Sequence, residues 1–95
     1  MKTKSALLAV GPNPAWQKAI VFDHLSLGEV NRAVSSKAIS SSKGINFARA
    51  ARRWGGEGEV FQFTGGATGE AIKRMLDKEG IPHHSIDTAC HTRVC

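Results

Sequence analysis

The chain has 95 residues, with 13 Lys+Arg against 8 Asp+Glu, a formal net charge of +5, and 41 % apolar and 22 % charged residues. That length accommodates one small domain, and the composition excludes a disordered polyelectrolyte, a collagen-like chain and a disulfide-dense scaffold. A transmembrane helix needs about 20 consecutive apolar residues, whereas the run Ala6–Val10 stops at Gly11-Pro12-Asn13-Pro14. Lys2 and Lys4 precede that run like the basic start of a signal peptide, but the apolar stretch is too short for one. A cytoplasmic location with no membrane partner is therefore expected. Cys90 and Cys95 lie close together near the C-terminal end and cannot staple the rest of the chain. A domain of this size buries only about 60–65 % of its unfolded surface, which leaves a thin margin of stability.

In chain order, Ala6–Val10 reads as a buried strand and Gly11–Pro14 as a loop, because Pro12 and Pro14 cannot donate to a ladder. Ala19–Phe22 is a second apolar run, Asp23–Gly28 is turn-like, and Glu29–Ile39 has weak strand character. The two apolar segments are expected to pair antiparallel. The period then changes. Phe47, Ala50, Ala51 and Trp54 fall at i, i+3, i+4 and i+7, the core stripe of a helix over Lys43–Trp54. Asn46, Arg49 and Arg53 fall on the opposite, solvated face. Serines cap this helix and Gly55-Gly56 closes it. Glu59–Phe63 reads as a strand, followed by a Thr64-Gly65-Gly66 turn and a helix over Thr68–Glu79. In that second helix Thr68 is the cap, Glu70 favours the first turn and pairs with Arg74, and Ile72, Met75 and Leu76 form the core stripe. Gly80 ends it. Ser85–Thr88 and the beginning of another strand at Thr92–Cys95 complete the pattern. Strands alternating with helices specify an α/β protein with a parallel sheet. Two helices cover only part of such a sheet, so the fold is incomplete at this length.

Four segments carry candidate chemistry. Ser41-Ser42-Lys43-Gly44-Ile45-Asn46 leads small residues into a helix start with a lysine in its first turn, a pattern suited to a phosphate. It lacks the Walker A spacing, and from composition alone a plain serine-capped helix with a solvated lysine is the favoured reading. Asn13-Pro14-Ala15-Trp16-Gln17 is a loop after the first strand, where α/β sheets bind ligands. Asn13 and Gln17 are candidate hydroxyl contacts there, with Trp16 packed on the core. Thr64-Gly65-Gly66-Ala67-Thr68-Gly69 is a second strand-to-helix glycine loop. His83, His84, Cys90, His91 and Cys95 match no standard zinc spacing, and no metal is assigned. Arg49, Arg52 and Arg53 are the only close basic cluster. No run of five or six like charges accompanies them, so no nucleic-acid partner is assigned.

Taken in order, these segments resemble the N-terminal part of the PfkB (ribokinase-like) carbohydrate kinases, nearest to the 1-phosphofructokinase and tagatose-6-phosphate kinase branch. The resemblance rests on Asn13-Pro14-Ala15, Leu27-Gly28-Glu29-Val30-Asn31-Arg32, Lys43-Gly44-Ile45-Asn46-Phe47-Ala48-Arg49-Ala50, Gly65-Gly66-Ala67-Thr68-Gly69, Gly80-Ile81 and Thr92-Arg93. It spans residues 1–95 as one partial domain of a ribokinase-like parallel-sheet fold, with a small β lid over about residues 18–39.

The resemblance implies that Asn46 contacts the sugar, with Asn13 and Gln17 beside it. Lys43 and Arg93 would contact the phosphate already on the substrate, and Gly44 would let the chain turn closely beside the sugar. It implies a parent reaction in which MgATP phosphorylates a sugar phosphate such as fructose 1-phosphate or tagatose 6-phosphate, and it allows a homodimer through the lid. ATP and Mg2+ would serve the complete parent. The Gly-Ala-Gly-Asp segment that carries the family's catalytic base is absent, so this chain alone is expected to be inactive and to bind neither cofactor. Two departures bear on the site. Ser41 and Ser42 stand where the family has glycines, which permit positive φ and close approach. Gln17 stands where the branch has Asp. These departures motivate the alternative of a non-catalytic remnant that binds a sugar phosphate or a partner chain.

Overall fold

The computed structural model describes residues 6–95; Lys2 and Lys4 lie outside the described residues. The elements are β1 (Ala6–Val10), β2 (Ala15–Val21), β3 (Ser35–Ser41), α1 (Lys43–Arg53), β4 (Glu57–Thr64), α2 (Gly66–Glu79), β5 (His83–Asp87) and β6 (Arg93–Val94). They form two sheets. One is fully parallel, in the order β1-β4-β5, with Val10 opposite Phe61 and Phe61 opposite His84. The other has the order β3-β2-β6; β2 and β3 pair antiparallel and β6 joins β2 in parallel. The parallel crossovers follow the expected pattern; an antiparallel pair also forms, but between β2 and β3 rather than between residues 19–22 and 29–39. The strand beginning near Thr92 departs from the expected pattern. It extends the lid sheet rather than the main sheet, fixed by hydrogen bonds from Cys95 N to Trp16 O (3.0 Å) and from Lys18 N to Cys95 O (2.7 Å).

Strand β4 alternates strictly. Gly58, Val60, Gln62 and Thr64 are buried under the helices, while Glu59, Phe61 and Phe63 point the other way. Both helices pack on the same side. Ile45 and Ala48 of α1, Val60 of β4, Ile72 and Leu76 of α2 and Ile81 form one cluster, with Trp16 of the lid packed against it. Gly58 lets α1 approach: a Cβ there would lie 2.6 Å from Ala48 O.

The face of α1 that meets the core is therefore Gly44, Ile45 and Ala48, not the Phe47-Ala50-Ala51-Trp54 stripe. Phe47 is 55 % and Trp54 92 % exposed. Helical spacing allows either stripe, and the small residues win because they let the helix backbone sit close to Gly58. The second stripe has no partner among the described residues.

Ser42 caps α1, its Oγ accepting from Ile45 N at 2.9 Å. Arg52 and Arg53 sit in the last turn, where the helix dipole favours cations. Helix α2 begins two residues earlier than the sequence suggests. Gly65 is its N-cap, with no side-chain cap, so Thr68 does not cap it, and no acidic residue lies in its first turn. Glu70 pairs with Lys73 at 2.7 Å rather than with Arg74. The early start is made by residues 88–92 folding back: Gly65 N donates to Thr92 Oγ1 and Thr92 N to Gly65 O, both at 2.9 Å. Side chains on Gly65 and Gly66 would collide with Cys90 O and the His91 ring. Gly80 ends α2 in the left-handed conformation at φ 72°.

One face of the parallel sheet is bare. Leu8, Val10, Phe63 and Ile86 are 58, 67, 41 and 48 % exposed. The Cα radius of gyration is 16.1 Å, with extents of 59 × 34 × 19 Å, whereas a compact domain of this length has about 12 Å. The chain thus has one helical layer, a second sheet beside the parallel one and an uncovered sheet face. No helix is long and apolar enough to cross a membrane.

Candidate substrate site

The carboxyl ends of β1 and β4 open beside the lid, where parallel sheets place ligands. Strand β1 runs into Gly11, whose N–H donates to Phe61 O at 2.9 Å. Here α1 starts against the loop: a Cβ on Gly44 would lie 2.8 Å from Gly11 Cα, and one on Gly11 would lie 2.9 Å from Gly44 Cα. The two glycines bring the first turn of α1, with Lys43 and Asn46, up to the loop that carries Asn13. Gly44 itself is buried between Gly11 and Val60.

Asn13 and Arg93 share a small cleft of about 160 Å³, completed by Pro12, Phe63, Thr88, Cys90, His91 and Thr92. Strand pairing sets Arg93 opposite Ala15, which holds its backbone two residues from Asn13. Lys43 and Asn46 do not line this cleft; both are exposed near the start of α1. Gln17 is not in the loop after β1, because β2 already begins at Ala15. It lies in the lid sheet opposite Ile39. Trp16 packs on the core as expected. Larger hollows of about 530 and 310 Å³ border Arg52, Gly55 and Ile81, around the C-terminal end of α1 and the amino ends of β4 and β5. That is the wrong end of a parallel sheet for a ligand.

The serine before Lys43 is unstrained. Ser42 is extended (φ −177°, ψ 168°), and no non-glycine residue among those described has positive φ. The cap nonetheless changes the anion chemistry. Ile45 N is held by Ser42 Oγ and Asn46 N by Ser42 O (2.9 Å). Only the first amides of the turn, with the Lys43 ammonium, remain for an anion.

The chain turns at Leu27-Gly28 as expected, but of the Glu29–Ile39 segment expected as a strand only the part from Ser35 onward is one. Gly28 adopts φ +79°. Asn31 Oδ1 accepts from Ser26 N at 2.8 Å, and its Nδ2 donates to Ser26 O and Glu29 O, both at 3.0 Å. Arg49, read from the sequence as solvated, is instead paired with Glu79 of α2 at 2.8 Å. Sequence pattern gave no sign of this contact, which joins residues thirty positions apart. His91 was also missed as a cleft residue; only the glycine pair it covers hints at its place. Among the described residues, no group of three or more His, Cys, Asp or Glu could hold a metal ion.

No family model matches the chain. It is similar to the 1-phosphofructokinase of Haloferax volcanii, 33 % identical over 89 residues, which are 93 % of this chain and 29 % of that protein. It is also similar to the 1-phosphofructokinase of Xanthomonas campestris, 30 % identical over 90 % of this chain and 27 % of that protein. Among solved structures, Escherichia coli phosphofructokinase-2 in complex with fructose-6-phosphate superposes with a TM-score of 0.88 at 25 % identity, covering 94 % of this chain and 29 % of that one. A ribokinase candidate from Agrobacterium tumefaciens shares the fold, with a TM-score of 0.82 at 20 % identity over 97 % of this chain and 31 % of its own. The chain spans less than a third of the relatives it matches. Over nearly all its length, it is similar to the N-terminal part of the PfkB (ribokinase-like) carbohydrate kinases, to 1-phosphofructokinases in sequence and to phosphofructokinase-2 and ribokinase in fold.

Proposed function

We propose that the chain is the substrate-side portion of an ATP-dependent sugar-phosphate kinase acting in the cytoplasm, with fructose 1-phosphate or tagatose 6-phosphate as the substrate class. The observation that carries this reading is the meeting of Asn13 and Arg93 in one cleft at the carboxyl ends of β1 and β4. The first turn of α1 is pressed against the same loop through Gly11 and Gly44. Arg93 and Lys43 neutralise the ester phosphate, while Asn13 and Asn46 fix the sugar hydroxyls. Gln17, on the lid, reaches the sugar when the lid sheet folds down over it. This chain contributes orientation and charge neutralisation.

MgATP would supply the phosphoryl group in the parent reaction; among the described residues no group of three or more His, Cys, Asp or Glu could hold its metal ion. The chain alone is expected to show no turnover. A homodimer through the lid fits the apolar side chains exposed there, Ile20, Val21, Leu25, Leu27, Val30 and Val34.

The test is a chimera. This chain replaces the matching stretch of the Haloferax volcanii 1-phosphofructokinase, and MgATP-dependent turnover is measured with each sugar phosphate. Turnover in the chimera, lost on Arg93→Ala, is expected. A folded, soluble chimera without turnover contradicts the kinase reading and favours a non-catalytic sugar-phosphate-binding remnant. The Ser42 cap gives that second reading its support, since it uses an amide that would otherwise meet an anion.

A further inference from the structure

Arg49 joins the candidate site to the rest of the chain through one side chain. Its guanidinium is only 17 % exposed. Nε donates to Glu79 Oε1 at 2.8 Å, and Nη2 donates to Glu79 Oε2 at 3.0 Å and to Ser40 O at 3.2 Å. Nη1 donates to Asn46 Oδ1 at 3.1 Å. One planar fork thus ties α1 to α2, to the end of β3 and to the Asn46 amide. Glu79 is the last residue of α2, a position where the helix dipole disfavours a carboxylate; the paired guanidinium offsets that cost.

A guanidinium only donates. Asn46 must therefore turn its carbonyl oxygen to Arg49, which leaves Nδ2 facing away. Resting on the functional reading above, in which Asn46 meets the sugar, we infer that Arg49 is a positioning residue. It fixes Asn46 so that the amide turns its two N–H donors, rather than its oxygen, toward the ligand. Asn46 then selects ligands that present an acceptor oxygen at that point, as a sugar hydroxyl does, and discriminates against an analogue with a donor-only group there. Lysine cannot replace Arg49 in this role. Its single ammonium can keep the charge pair with Glu79 but cannot hold Glu79, Ser40 O and Asn46 Oδ1 in one fixed plane.

The experiment uses the 95-residue chain, labelled with 15N, in wild-type, Arg49→Lys and Asn46→Asp forms. Melting temperature, the order of the Asn46 side-chain amide by NMR relaxation, and affinity for fructose 1-phosphate by titration are read on each. Arg49→Lys is expected to melt close to wild type yet to free the Asn46 amide and weaken binding by about tenfold, the equivalent of about 1.4 kcal/mol. Asn46→Asp keeps the acceptor that Arg49 needs and is expected to melt no lower than wild type while losing sugar-phosphate binding, because its donors are gone. An Asn46 amide equally ordered in Arg49→Lys, with unchanged affinity, overturns the inference. A wild-type chain that takes up no fructose 1-phosphate overturns the functional reading instead; the order of the Asn46 amide then still decides whether Arg49 holds it.

Discussion

The two faces of the parallel sheet have opposite fates. On one, Val60, Gln62 and Thr64 are no more than 1 % exposed beneath α1 and α2. On the other, Leu8, Val10, Phe61, Phe63 and Ile86 meet no helix, and their exposure reaches 67 %. Parallel sheets are stable when both faces are covered. The chain therefore contains a finished half-core and an unfinished one, and the candidate site sits at the end of the finished half.

The sharpest way to break this contrast is to truncate one residue on each face. Leu76→Ala, fully buried against Ile72 and Val60, should cost about 2–5 kcal/mol and unfold the chain, as read by circular dichroism. Val10→Ala should change stability by about 0.5 kcal/mol or less. Equal losses at the two sites would mean that the bare face is covered in solution. Self-association is the corresponding property of the open side, which also leaves strand edges unpaired. Sedimentation should show concentration-dependent association that falls when Phe63→Lys charges the face; a sharp monomeric transition in wild type would contradict this.

A smaller effect is expected at the start of α1. Ser42→Ala removes the oxygen that accepts from Ile45 N and should cost about 0.5–2 kcal/mol in thermal melts. Ser42→Gly should cost only a few tenths, about 0.3 kcal/mol. If the two variants melt alike, the cap does not stabilise α1.

The smallest effect lies on the rim. The hydrogen bonds to Glu70 and then to Asp87 raise the Lys73 pKa above its ordinary 10.5, against a lesser opposing effect of burial. A raised lysine stabilises the fold below its unfolded value and loses that contribution as pH rises through the folded one. Melts between about pH 10 and pH 12 should thus decline slightly more in wild type than in Lys73→Gln. The difference should shrink in high salt, which screens exposed pairs. An identical decline would show that the pair contributes nothing.

Much of the architecture was legible in local chemistry. Gly11-Pro12-Asn13-Pro14 bounds β1, Ser42 opens α1, and Gly80 closes α2, because caps and breakers act within a few residues. The core face of α1 was misread because that helix carries two apolar stripes, and only the glycine at position 58 of β4 decides which one can approach. The early start of α2 depends on Thr92, and the pairing of Arg49 depends on Glu79. Both are contacts across roughly thirty residues that no periodicity reports. Asn13, Gln17 and Lys43 were named from a loop after a strand and a helix start, and Gly44, Asn46 and Arg93 from motif resemblance, yet the arrangement that joins Asn13 to Arg93 arises from β6 pairing with β2, which a two-residue strand cannot announce.

The central functional claim is that Arg93 and Lys43 grip a phosphate ester at this end of the sheet. Titration calorimetry of the 95-residue chain with fructose 1-phosphate, and with unphosphorylated fructose as the comparison, tests it directly. Uptake of the phosphate ester alone, weakened by about tenfold or more (about 1.4 kcal/mol) in both Arg93→Ala and Lys43→Ala, is the expected result. Undiminished uptake in either folded variant, or equal uptake of fructose and its phosphate, would contradict it.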